Sequence, residues 1–197
     1  MLIIHHRRNS LKLLKQTSSN LGVEVDIRSY GKKLIVNHEP FVDDISFSDW
    51  LEGYKHKFLI LNIKEEGIEN KVLDLIKKNQ INDFFLIDQS FPFLIKTANS
   101  GESRIAVRVS EFEPIDTALS LVGLIQWVWL DIFNNFSLTQ AQFKQIKEAG
   151  LKICLVSPEL QGHQLKDIFT LQNKLNELDI ELDAVCTKNP KLWLGTK

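Results

Sequence analysis

The sequence predicts an α/β protein, a compact (β/α)8 (TIM) barrel of parallel strands with a short first helix and a last helix missing or vestigial. Three observations carry this expectation. Eight short apolar runs rich in Ile, Leu, Val and Phe recur along the 197 residues, most of them too uniformly apolar to alternate, as in strands covered on both faces. Helical patterns fill the gaps, and strand followed by helix, repeated, means parallel strands joined by crossovers. Polar residues gather at one end of nearly every run, and barrels of this kind carry their sites at the carboxyl ends of the strands. The first two observations also fit a doubly wound open sheet; the strand count and the third favour the barrel.

The strand runs are 2–6, 22–28, 57–63, 83–88, 104–109, 126–131, 151–157 and 181–187, with a further short strand at 33–37 after a turn at Tyr30-Gly31. A short helix fits within 10–21. Helices are expected at 46–55, at 65–79 with Ile68, Val72, Leu75 and Ile76 on one face, and at 91–98, 115–122, 138–149 and 160–178. Ser137 or Thr139 is a candidate N-cap, and Ala149-Gly150 a helix stop. No Pro/Gly/Ser-rich linker or shift in composition divides the chain, so residues 1–197 are expected to form one domain. Each strand–helix unit averages about 25 residues, below the roughly 30 of an ordinary unit, and the whole falls short of a barrel's usual length of about 250. Loops must therefore be short, and the site open and shallow.

Apolar residues at 44% and charged residues at 25% exclude a disordered or fibrous chain. Lys and Arg (24) balance Asp and Glu (25), so no basic field invites nucleic acid. No apolar run approaches 18 residues, and Met1-Leu-Ile-Ile-His-His-Arg-Arg is too short for a signal peptide; a soluble, cytoplasmic protein without a transmembrane segment is expected. Cys154 and Cys186 sit inside apolar runs, as buried thiols do. Oligomeric state is not legible.

Glu24 and Asp26 are two apart on a strand and so project from one face of Val-Glu-Val-Asp-Ile. Two carboxylates so close repel unless a cation lies between them, and a hard divalent ion, Mg2+ or Ca2+, is the natural partner. A solvent-facing edge strand would also explain the pair. Asn62 and Lys64 repeat the spacing: an amide oxygen for a metal and an ammonium for a phosphate, or simply a strand entering the cap of a helix at Glu65. His6 and His38 lie on elements flanking the Glu24 strand and could act as general acid and base, with Arg7 as a fixed cation for phosphate. His5 faces the opposite side of its strand, toward the helices, and His56 and His163 read as structural. Trp129 could stack on a substrate or fill the core, while Phe91-Pro-Phe93 and Ile132-Phe133 could form an apolar rim for a lipid or pack helices.

The order Ile-Ile-His5-His6-Arg7, Val-Glu24-Val-Asp26, Leu-Ile-Val-Asn-His38-Glu and Leu-Asn62-Ile-Lys64 resembles the glycerophosphodiester phosphodiesterase family. That family shows His-Arg-Gly, Glu-x-Asp, His-Asp and Glu-x-Lys in this sequence. Leu-Asp183-Ala-Val-Cys-Thr187-Lys-Asn-Pro190 is similar to its closing motif. The resemblance implies a distorted (β/α)8 barrel with His6 and His38 as the acid–base pair. It further implies that Glu24, Asp26 and Asn62 hold a divalent metal and that Arg7 and Lys64 bind phosphate. The implied activity is metal-dependent hydrolysis of a small or lipid-derived phosphodiester, often through a cyclic phosphate; a lyase stopping at that cyclic product is a variant. Three departures stand out. Arg8 replaces the glycine after His-Arg, Leu11-Lys-Leu-Leu-Lys15 replaces a Pro-Glu-Asn-Thr segment, and Asn62 replaces an acid, which predicts weaker metal binding. They leave open a second expectation, a catalytically weak or inactive barrel that binds a phosphorylated ligand as a sensor or accessory protein.

Overall fold

All eight apolar runs are strands in the computed structural model, which describes residues 1–136 and 138–195. In chain order the elements are β1 (Leu2–His5), α1 (Leu11–Gln16), β2 (Gly22–Tyr30), β3 (Lys33–Val36), α2 (Phe47–Glu52), β4 (Leu59–Ile63), α3 (Glu69–Lys78), β5 (Phe84–Ile87) and α4 (Phe91–Asn99). There follow β6 (Ala106–Val109), α5 (Ile115–Ser120), β7 (Trp127–Leu130), α6 (Gln140–Glu148), β8 (Lys152–Val156), a 3-10 turn (Pro158–Gln161), α7 (Lys166–Glu177), β9 (Ala184–Thr187) and α8 (Pro190–Trp193). The strand order is β5-β4-β2-β1-β9-β8-β7-β6, with β3 paired to β2 off this path. This is the strand–helix succession of the (β/α)8 barrel class. No helix among the described residues is long and apolar enough to cross a membrane.

Two compact units can be distinguished, Ile4–Ile105 and Met1–Ile3 with Ala106–Lys197. In the first, β2 is central. It pairs in parallel with β1 (Ile4↔Gly22) and with β4 (Val23↔Leu59 through Ile27↔Ile63). β4 pairs in turn with β5, and Leu86 bridges to Ile105. Val23, Val25 and Ile27 point away from the odd-even partner face that carries Glu24 and Asp26, and all three are fully buried. Each such side chain contributes about 1.5–3 kcal/mol of apolar burial. Gly22 fits closely at the start of β2, where a Cβ would lie 2.5 Å from Ile4 Cδ1 and 3.1 Å from Phe58 Cβ, so that both neighbours would have to shift. Beyond Ile27 the strand turns back through Gly31 (φ 60) into antiparallel β3, as the Tyr30-Gly31 turn predicted.

In the second unit β6, β7, β8 and β9 pair in parallel, in succession, and Leu2 N donates to Asp183 O at 2.7 Å. α6 opens on a capping box between Thr139 and Gln142; the alternative cap, Ser137, lies outside the described residues. Gly150, at φ 80, ends it as expected. The helix expected over 160–178 is instead a 3-10 turn and a separate α7, because Gly162 adopts a left-handed conformation (φ 88) that a helix interior excludes. α1 has 6 residues and α8 a single turn of 4, the short first and vestigial last helices of the sequence expectation. Cys154 and Cys186 are buried free thiols, and burial pushes the Cys154 thiol well above its ordinary range.

Candidate active site

Glu24 and Asp26 emerge side by side from β2, both fully buried. The segment after β1 folds across them. Arg7 N donates to Glu24 Oε2 at 2.6 Å, Arg8 N donates to Glu24 O at 2.8 Å, and His6 Nε2 lies 3.7 Å from Glu24 Oε2. Arg7 reaches this position only in the left-handed backbone region, at φ 53. Such a conformation costs a non-glycine residue on the order of 1–3 kcal/mol and is held by its surroundings. Here the holding groups are Glu24, on the Arg7 amide, and Asp26, whose Oδ2 is 3.2 Å from Arg7 Nε. Arg8, at the family's glycine position, is accommodated with its carbonyl accepting from Trp50 Nε1 at 2.9 Å.

β4 supplies the opposite wall. Asp26 is the register partner of Asn62, whose Nδ2 donates to Glu24 Oε1 at 2.9 Å. Lys64 Nζ lies 3.5 Å from Asp26 Oδ1 and donates to Asp88 Oδ2 at 2.9 Å. Asp88, at the end of β5, is also left-handed (φ 63). The helix expected to begin at Glu65 begins at Glu69, and the Glu65 carboxylate instead accepts from Ser29 N at 3.0 Å and from the Ser29 hydroxyl.

Burial, and then the neighbouring Asp26 charge, raise the Glu24 carboxyl from 4.5 to about 7; the Asn62 amide, the Arg7 amide and Lys64 oppose the shift. Part of the compensation the paired carboxylates need thus comes from Arg7 and Lys64. It is incomplete, because Asp26 Oδ1 and Asn62 Oδ1 are both buried and accept no hydrogen bond. Unsatisfied buried oxygens are costly, and a hard cation satisfies them. The donor set of Glu24, Asp26 and Asn62 therefore fits Mg2+ or Ca2+. Among the described residues no three His, Cys, Asp or Glu side chains gather as a metal-binding group; the third donor here is an amide, one negative charge short.

Six of the seven predicted site residues are thus joined by short contacts. His38 is not. It follows β3, and its side chain is 38% exposed, with Nδ1 2.6 Å from Glu39 Oε1. It makes no hydrogen bond or ion pair with the other six. The contact with His38 is the main reason the Glu39 carboxyl lies below its ordinary range. His5 faces the helices and meets Thr17 Oγ1 at 3.2 Å, as its parity predicted. His56 and His163 bind backbone carbonyls. Trp129 and Ile132 are buried, whereas Phe91 and Phe133 are partly exposed.

The sequence did not single out Asn9, whose side chain brackets Asp26 by donating to Oδ2 at 2.8 Å and accepting from Asp26 N at 3.0 Å. No spacing signal marks it. Glu39, Asp88 and Arg28 were also without a role. Arg28 shares the parity of Glu24 and Asp26, which was a usable signal.

The other unit has its own polar cluster. Asp131 accepts from Arg108 Nη1 and from Gln161 Nε2 at 2.5 Å. Glu159 accepts from Ser157, Thr187 and Lys188 N, and Trp193 Nε1 donates to Ser157 Oγ at 2.9 Å.

No model of a known protein family matches the chain, and no curated protein matches it in sequence. Solved structures do. A glycerophosphodiester phosphodiesterase of Agrobacterium tumefaciens matches with a TM-score of 0.69 at 16% identity, covering 98% of both chains. A second Agrobacterium tumefaciens protein, assigned to the same enzyme class, gives 0.70 at 12% identity over 98% of this chain and 95% of its own. A glycerophosphoryl diester phosphodiesterase of Parabacteroides distasonis gives 0.64 at 11% identity, covering 97% and 84%. Over nearly its whole length the chain has the (β/α)8 barrel fold of these glycerophosphodiester phosphodiesterases.

Proposed function

We propose that the protein is a metal-dependent phosphoric diester hydrolase acting on a small or lipid-derived phosphodiester, in a cytoplasmic setting. The observation that carries this reading is the pair of buried oxygens left without hydrogen bonds, Asp26 Oδ1 and Asn62 Oδ1, on a site where Arg7 and Lys64 both approach Asp26. Glu24, Asp26 and Asn62 would hold Mg2+ or Ca2+, which when bound withdraws charge from phosphate oxygens. Arg7 and Lys64 bind the phosphate. Their present partners, Asp26 and Asp88, keep both cations in fixed positions at the ends of β1 and β4. His6 and His38 carry the protons, one taking the nucleophile's and the other supplying the leaving oxygen's. His38 is oriented through Nδ1 by Glu39, so Nε2 is the nitrogen presented to substrate. The short loops favour a small substrate or one presented at a surface.

A second reading has its own support. Asp26 is already engaged by Arg7, Lys64 and Asn9, and His38 makes no hydrogen bond or ion pair with the other candidates, an arrangement that suits binding a phosphorylated ligand without turnover. A panel of glycerophosphodiesters and lysophospholipids, assayed with Mg2+, Ca2+ or chelator, separates the two. Cation-stimulated product formation is expected. Micromolar binding of a phosphorylated ligand with no product after long incubation would replace the hydrolase by the binding protein.

A further inference from the structure

β2 outlasts its parallel partner. The β2–β4 register ends at Ile27↔Ile63, Lys64 N still reaches Ile27 O at 3.0 Å, and β2 then continues to Tyr30 against β3 alone. Arg28 is the first residue past this end. It lies on the same face of the strand as Glu24 and Asp26, since residues two apart share a face. Its guanidinium donates from Nε to His38 O at 2.9 Å and from Nη1 to Lys64 O, also at 2.9 Å. Among the described residues no carboxylate forms an ion pair with it. A guanidinium is a rigid planar fork, and here both prongs are fixed on main-chain oxygens of two candidate site residues.

We propose that Arg28 is a positioning residue that ties the His38 loop to the Lys64 end of β4, setting the distance between the proton-carrying imidazole and the phosphate-binding ammonium. The inference rests on the hydrolase reading for what the distance is for, but the tie itself does not. Two observations strengthen it. His38 makes no hydrogen bond or ion pair with the other site residues, and Arg28 supplies an anchor at that residue's own carbonyl. The Arg28 charge also adds a small electrostatic preference for the ionised Glu39 that meets His38 Nδ1. Lys in place of Arg28 keeps the charge and loses the fork; Met keeps a stem of similar bulk and loses both.

The test compares wild-type protein with Arg28→Lys and Arg28→Met in two measurements. Amide hydrogen exchange is followed in segments 37–39 and 64–67 of the substrate-free proteins. Steady-state kinetics are measured on the best glycerophosphodiester with its divalent cation. Exchange is expected to rise about tenfold or more in both segments together, in both variants. kcat should fall about 10–100-fold in both, with KM changed less than about threefold in Arg28→Lys. Unchanged exchange in either segment overturns the tie. Full recovery of kcat in Arg28→Lys overturns it in favour of a purely electrostatic role, and failure of Arg28→Lys to fold overturns it in favour of a structural one. Absence of turnover in the wild type sinks the hydrolase reading and leaves the exchange result to decide the tie.

Discussion

Asp26 and Asp131 are both buried carboxylates at the carboxyl ends of parallel strands, one in each compact unit. Asp131 is held by Arg108 and Gln161, and around it Glu159 satisfies Ser157, Thr187 and the Lys188 amide. Asp26 lies beside a second buried carboxylate, with cations at 3.2 and 3.5 Å and an oxygen that accepts no hydrogen bond. Among the described residues the buried side-chain oxygens without hydrogen bonds, Asp26 Oδ1, Asn62 Oδ1, Glu69 Oε1, Gln89 Oε1 and Ser90 Oγ, all belong to Ile4–Ile105. Of the left-handed non-glycine residues, Arg7 and Asp88 lie at this site, while Phe41 and Gln80 lie elsewhere in the same unit and Asp179 in the other. A polar network whose members satisfy one another stabilises a fold, whereas strain and unmet acceptors persist where something else is to be bound. Under the proposed function the chemistry belongs to the first unit, and the Asp131 cluster supports the fold of the second.

The largest expected effect is in the first unit. His38→Ala and His6→Ala should each lower kcat/KM by about 100- to 10,000-fold, measured on a phosphodiester with its cation, while leaving the melting temperature nearly unchanged. Asp131→Ala should do the reverse. It strips a buried carboxylate from Arg108 and Gln161, and urea unfolding should register a loss of about 2–4 kcal/mol, discounted because Arg108 is 32% exposed. If Asp131→Ala were as stable as wild type, the supporting role of that network would be wrong.

Glu24→Gln should have the opposite sign. The folded carboxyl sits at about 7 against 4.5 unfolded, so the folded state binds the extra proton between these values. Stability from this group is therefore full below about pH 4.5, falls as pH rises toward 7, and stays low above. Metal-free Glu24→Gln should lack that decline and be more stable than wild type at pH 8 by on the order of 1–3 kcal/mol, read from denaturant midpoints at pH 5 and pH 8. A wild-type protein equally stable at both, with no difference from the variant, would contradict the assigned electrostatics. The smallest effect is a gain. Asn62→Asp should tighten Ca2+ or Mg2+ binding about tenfold in calorimetry, by restoring one anionic ligand.

Much of this arrangement was legible in the sequence, for identifiable reasons. Apolar runs such as those of β4 and β8 mark doubly covered strands whatever their tertiary neighbours, and period-two parity correctly separated His5 from His6 and put Glu24 beside Asp26. Two kinds of information were not local. The break at Gly162 depends on a left-handed conformation that a helical pattern does not announce. The contacts of Asn9 with Asp26, of Glu65 with Ser29 and of Arg28 with His38 and Lys64 join residues 10 to 36 apart, through hydrogen bonds that leave no periodic trace. Parity also could not tell that the partner of the His38 imidazole is Glu39, with no hydrogen bond or ion pair to Glu24 or Asp26.

The central claim is that the unmet oxygens Asp26 Oδ1 and Asn62 Oδ1 are the seat of a hard cation. Anomalous diffraction from crystals soaked in Mn2+ tests it most directly. The account predicts one strong peak within roughly 2.0–2.6 Å of both Asp26 Oδ1 and Asn62 Oδ1, present in wild type and absent in Asp26→Asn. A map with no peak there at saturating Mn2+, and with the Lys64 ammonium still against Asp26, would contradict it.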